Sequence, residues 1–86
     1  MPKRTSTPIG KYLRELRVNA GYNTRQLERA MDMSQSTIWD VENGRRPTPA
    51  LSTLLRYAMF FNVRLVELAK LAGYKLPGVT DEHKDV

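Results

Sequence analysis

His83 is the only histidine in the chain and there is no cysteine. A histidine proton relay, a thiolate nucleophile and a zinc site of the usual donors are therefore all out of reach. Asp40 and Glu42 stand two residues apart on a predicted helix, where they face different sides, so they do not form an acid–base couple. Gly10, Gly21, Gly44, Gly73 and Gly78 never fall into a phosphate-cradling spacing. No catalysis, cofactor or metal is expected. What the chain has in excess is cationic side chains, 14 Lys and Arg against 9 Asp and Glu, for a formal net charge of +5. The segment 73–86 holds Lys75 and Lys84 against Asp81, Glu82 and Asp85, so an excess of +6 sits in residues 1–72. A compact basic unit of this kind suits a polyanionic partner, most often nucleic acid.

The elements that carry these charges are short. Residues 1–8 are polar, basic and bracketed by Pro2 and Pro8, which predicts a flexible arm with Lys3 and Arg4 upon it. Pro8 suits the first turn of a helix, where its missing N–H costs nothing. Ile9, Tyr12, Leu13, Leu16 and Ala20 then recur at helical spacing, and Gly21 closes the helix. Asn23 with Gln26 three residues on reads as a capping box for a second helix with Leu27, Ala30 and Met31 as its apolar stripe. Asp32-Met33 makes a turn, and Ser34 caps a third helix with Ile38 and Val41 inward and Gln35, Ser36, Trp39 and Asp40 on other faces.

Glu42-Asn43-Gly44 ends that helix and opens the basic, proline-stiffened loop Arg45-Arg46-Pro47-Thr48-Pro49. A fourth helix should turn Leu51, Leu54, Leu55, Ala58 and Phe61 inward before Asn62 ends it. A fifth, from Leu65 to Ala72, has Leu65, Leu68 and Leu71 as its stripe and stops at Gly73. Residues 73–86 form a polar tail with no periodicity from Tyr74 onward, expected to lack fixed structure. Arg56, Arg64, Glu67 and Lys70 interrupt the most apolar region, so no membrane-spanning helix is expected. No apolar run follows Lys3 and Arg4, so no secretory signal is expected and a cytoplasmic location follows. The expected fold is all-α, with five short helices around one core in residues 9–72. The tight connection between the second and third helices gives a bent pair, the helix-turn-helix arrangement.

With these elements in order, the chain resembles the XRE family of Cro- and lambda-repressor-like helix-turn-helix regulators from about Ile9 to Ala72. The resemblance rests on Leu13-Arg14-Glu15-Leu16-Arg17, Gly21-Tyr22-Asn23-Thr24-Arg25-Gln26-Leu27, Met33-Ser34-Gln35-Ser36-Thr37-Ile38, Glu42-Asn43-Gly44-Arg45-Arg46-Pro47 and Leu54-Leu55-Arg56-Tyr57-Ala58. It implies a sequence-specific regulator of double-stranded DNA, associated with the nucleoid when bound, and in particular a dimeric repressor of a pseudo-palindromic operator. Arg17 and Glu42 match a partly buried ion pair between helices 1 and 3. Gln35, Ser36, Trp39 and Asp40 match base-facing positions, and Gln35 has the donor and acceptor for an adenine edge.

Asp40, a carboxylate near phosphates, departs from what is common at its position in the family, and Trp39 stands where the family is usually polar. The tryptophan could meet DNA or protein, or fold back over the loop; the carboxylate could accept from cytosine or merely discourage nonspecific binding. Thr24, Arg25, Ser34, Thr37, Asn43, Arg45 and Arg46 fall where phosphates are held. Tyr57, Met59, Phe60 and Val66 are apolar beyond what one core requires, which marks either a dimer interface or residues that seal the core. The alternative from another class is a protein-interaction module on the same scaffold, such as an antitoxin whose main partner is a toxin protein.

Overall fold

The computed structural model describes residues 7–75 and, among them, five α-helices and no strand. They are α1 (Pro8–Asn19), α2 (Thr24–Met31), α3 (Gln35–Glu42), α4 (Leu51–Phe61) and α5 (Leu65–Leu71). Lys3 and Arg4, and residues 76–86 of the expected tail, lie outside the described residues.

Each helix begins and ends for a local reason. Thr7 accepts from the Gly10 N–H at 3.0 Å and caps α1, and Pro8 occupies its first turn as expected, so the helix begins within the segment read as an arm over 1–8. Asn23 and Gln26 form the expected capping box on α2, with bonds of 2.7 and 2.8 Å. Ser34 accepts from the Thr37 N–H at 3.1 Å and caps α3. Asp32 and Asn62 end α2 and α4 in the left-handed region, at φ 57°, which their short polar side chains tolerate. After α3 the Gly44 N–H donates to Val41 O at 3.4 Å and the Arg45 N–H to Asp40 O at 2.9 Å. With Gly44 at φ 78°, this is a Schellman ending that turns the chain back over its own helix.

One core gathers Ile9 and Leu13 of α1, Leu27 and Met31 of α2, Ile38 and Val41 of α3, Leu54, Tyr57 and Ala58 of α4, and Leu68 of α5. Burying a leucine or isoleucine completely is worth about 1.5–3 kcal/mol, so this cluster supplies what such short helices lack alone. Helix α3 packs on both α1 and α2, while α4 packs on α5 and α2. Gly10 allows α1 its close approach: a Cβ there would sit 2.5 Å from Val41 O and 2.9 Å from Glu42 O.

Several positions differ from expectation. Leu51 and Leu55 are exposed, because α4 turns in the stripe Leu54, Tyr57, Ala58 and Phe61. Tyr57 is fully buried and belongs to the core, which removes it from any dimer surface. Leu71 is exposed, since Leu65, Leu68 and Ala72 form the packed stripe of α5. Ala20 and Ala30 also face outward, the first at the helix cap and the second beside the Leu27–Met31 stripe. Tyr74, placed in the unstructured tail by its lack of periodicity, packs against the core and donates to the buried Pro49 carbonyl at 2.7 Å.

Candidate nucleic-acid interface

Helix α3 exposes one end and one side. Its first residue, Gln35, is half-buried because its Oε1 accepts from Thr24 Oγ1 of α2 at 2.8 Å. The amide oxygen keeps a second lone pair and Nε2 keeps its donors, so a bidentate approach to an adenine edge remains open. Thr24 and Gln35, eleven residues apart, thus act as a unit that fixes the rotamer of the first side chain on α3. Sequence spacing gave no sign of this bond.

Ser36 follows directly, Trp39 and Asp40 come one turn along, and with Gln35 and Arg45 they line an open groove. Trp39 is 42% exposed and does not fold into the core. The Arg45 guanidinium lies over its ring, 5.4 Å from the centroid. Asp40 is half-buried and stands 3.9 Å from both Arg45 Nη1 and Arg46 Nε. The carboxylate that looked out of place on a DNA-facing side is therefore offset by two adjacent cations.

The remaining candidates lie at the ends of α3 and on α2, α4 and α5. Ser34 and Thr37 hydroxyls bond each other at 3.1 Å at the start of α3. Asn43 donates from Nδ2 to Trp39 O at 2.9 Å and caps the helix end. Arg25 is exposed on the first turn of α2. Met59 is 74% exposed, but Val66 is half-buried. Phe60 is partly engaged, edge-on to Tyr22 at 5.6 Å and to Phe61 at 5.0 Å.

Beneath the groove, α3 is held by charge. Arg17 Nε and Nη2 donate to Glu42 Oε2 and Oε1 at 2.7 and 2.8 Å, and Arg17 Nη1 donates to Tyr22 O at 2.9 Å. The bond to Glu42 raises the Arg17 pKa above its usual value against the opposing effect of burial. Arg56 Nη1 donates to Met31 O at 2.9 Å and Asp32 O at 3.1 Å, covering the carbonyls at the end of α2. Local sequence pattern assigns Arg56 no such bond, because its partners lie 25 and 24 residues away.

The profile of the helix-turn-helix domain family matches residues 8–71. The chain belongs to that family, in its XRE, lambda-repressor-like form, as the five helices and the α2–α3 pair require. It is 35% identical over 68 residues to an uncharacterized HTH-type transcriptional regulator, RghRB, of Bacillus subtilis (strain 168). That match takes in 79% of this chain and 49% of the relative, so the chain spans about half the relative's length. No solved structure gave a significant match. Among the described residues, no helix is long and apolar enough to cross a membrane.

Proposed function

We propose that the chain is a transcriptional regulator that binds double-stranded DNA by placing α3 in the major groove. The observation that carries this reading is the Thr24–Gln35 pair, which fixes an adenine-competent amide at the exposed start of the second helix of the motif. Specificity comes from Gln35, Ser36, Trp39 and Asp40. Affinity comes from Arg25, Arg46, the Thr37 hydroxyl, the Asn43 amide and the backbone N–H groups of Thr24 and Ser34 at the starts of α2 and α3 on phosphates. The HTH-type regulator of Bacillus subtilis supports the assignment.

The protein acts in the cytoplasm, on the nucleoid when bound, as a dimeric repressor that occupies two half-sites about 34 Å apart. Met59 supports the dimer, with Leu55 and Leu51 continuing its exposed apolar stripe along α4 at intervals of four. A mobility-shift titration against genomic fragments, read at several salt concentrations, tests the proposal. Selective retardation of a few fragments by two copies per site is the expected result; uniform weak retardation of all fragments overturns it.

The same apolar stripe favours a second reading, in which the scaffold docks another protein through α4. Unselective DNA binding together with a stable heterologous complex, abolished by Met59→Glu, would favour that reading.

A further inference from the structure

Arg45 and Arg46 are neighbours in the chain but occupy different settings. Arg46 approaches Asp40 Oδ2 from the loop and does not line the groove along α3. Arg45 does line it, beside Gln35 and Ser36. The Schellman ending after Glu42 brings it there: the Arg45 N–H is bonded to Asp40 O, which returns the residue over the last turn of α3. We propose that Arg45 reads a guanine base edge, and that Trp39 and Asp40 are the positioning residues that hold it for this task. The proposal rests on the DNA-binding reading above and adds the base and the residue that recognises it.

Three features of the geometry carry it. A guanidinium has parallel N–H donors that match guanine O6 and N7, the commonest specific contact in the major groove. A long side chain at such a site loses much rotamer freedom on binding, and the Trp39 ring beneath the guanidinium restricts that freedom beforehand. The Asp40 carboxylate stands 3.9 Å away, close enough to orient the charge but too far to take its hydrogen bonds. The donors stay available to a base.

The carboxylate also sets the choice between base and phosphate. A guanidinium backed by a negative charge gains less from a phosphate, which carries a full charge of its own beside Asp40. It loses much less at the guanine edge, which presents neutral acceptors. This accounts for two departures from the usual residue pattern at once, since Trp39 and Asp40 acquire a shared role through Arg45.

Binding-site selection from a random duplex library tests the proposal on the wild type, Arg45→Ala, Arg46→Ala and Asp40→Asn. Arg45 and Arg46 are exposed, and circular dichroism establishes that each variant remains folded. The wild-type motif should contain a guanine in each half-site. Arg45→Ala should lose that preference by about ten-fold or more and retain the rest of the motif. Arg46→Ala should keep the motif while binding all sequences more weakly. Asp40→Asn should retain the guanine with reduced selectivity and raise nonspecific binding several-fold. A motif that survives Arg45→Ala intact, with affinity lowered evenly over all sequences, overturns the proposal and makes Arg45 a phosphate contact. A wild type that enriches no motif overturns the regulator reading as well, so the two failures are distinguishable.

Discussion

Arg17 of α1 and Glu42 of α3 are joined by two parallel hydrogen bonds of 2.7 and 2.8 Å in a site where both side chains are largely removed from water. The guanidinium spends its third nitrogen on Tyr22 O, in the turn before α2. One side chain therefore ties α1, the entry to α2 and the end of α3 together. A buried pair of this kind adds little over a well-packed apolar pair, but breaking it strands a charge. Glu42→Ala should destabilise the domain by about 3–5 kcal/mol in denaturant unfolding. A loss below about 1 kcal/mol would show that Arg17 finds other partners or solvent.

Gly10 runs against intrinsic propensity. In an exposed helix interior, glycine to alanine gains about 1 kcal/mol. Here the new methyl would stand 2.5 Å from the Val41 carbonyl oxygen, a backbone atom that cannot swing aside. Gly10→Ala should therefore lower the thermal midpoint and push α1 away from α3. An unchanged or higher midpoint would mean that the α1–α3 contact is slack.

Tyr57 is buried with its hydroxyl unbonded among the described residues. An unsatisfied buried polar group costs about 1–3 kcal/mol, so Tyr57→Phe should be neutral or more stable near pH 7. Burial, with Glu42 nearby, pushes the phenol pKa well above its usual value. A folded pKa raised above the unfolded one leaves stability complete below about pH 10 and erodes it as pH rises further. The wild type should then lose stability faster than Tyr57→Phe in alkaline unfolding curves. Parallel curves would place the hydroxyl in contact with water.

Gln35→Ala removes the amide that Thr24 positions. On the preferred site it should cost about 1–3 kcal/mol of binding, with nonspecific affinity nearly intact and one base in each half-site relaxed. Thr24→Val should show a smaller loss at the same base. Equal losses on every sequence would make Gln35 a phosphate contact.

The helix ends were legible in the sequence because caps are local: Asn23 with Gln26, Ser34, and Asn62 each act within a few residues. The inward face of α4 was not. Leu54, Ala58 and Phe61 point inward as expected, but Leu51 and Leu55 satisfy helical spacing beside them as well as Tyr57 does, and packing on α5 and α2 selects Tyr57. At the site, the side of α3 bearing Gln35, Ser36, Trp39 and Asp40 followed from spacing and from the family resemblance. The bonds that organise it, Thr24 to Gln35 and Arg45 over Trp39, cross a turn or a helix end. Such bonds depend on the rotamers and turn geometry of two elements together, and no pattern within one helix encodes them.

DNA recognition by α3 is tested most directly by an equilibrium titration of a selected duplex and a scrambled duplex, each repeated across a series of salt concentrations. The selected duplex should bind at least about a thousand-fold more tightly. For both duplexes, log K should fall linearly with log salt, and Arg46→Ala should reduce the slope by about 1. Equal affinity for the two duplexes, or affinity indifferent to salt, would contradict the placement of α3 and the basic loop on DNA.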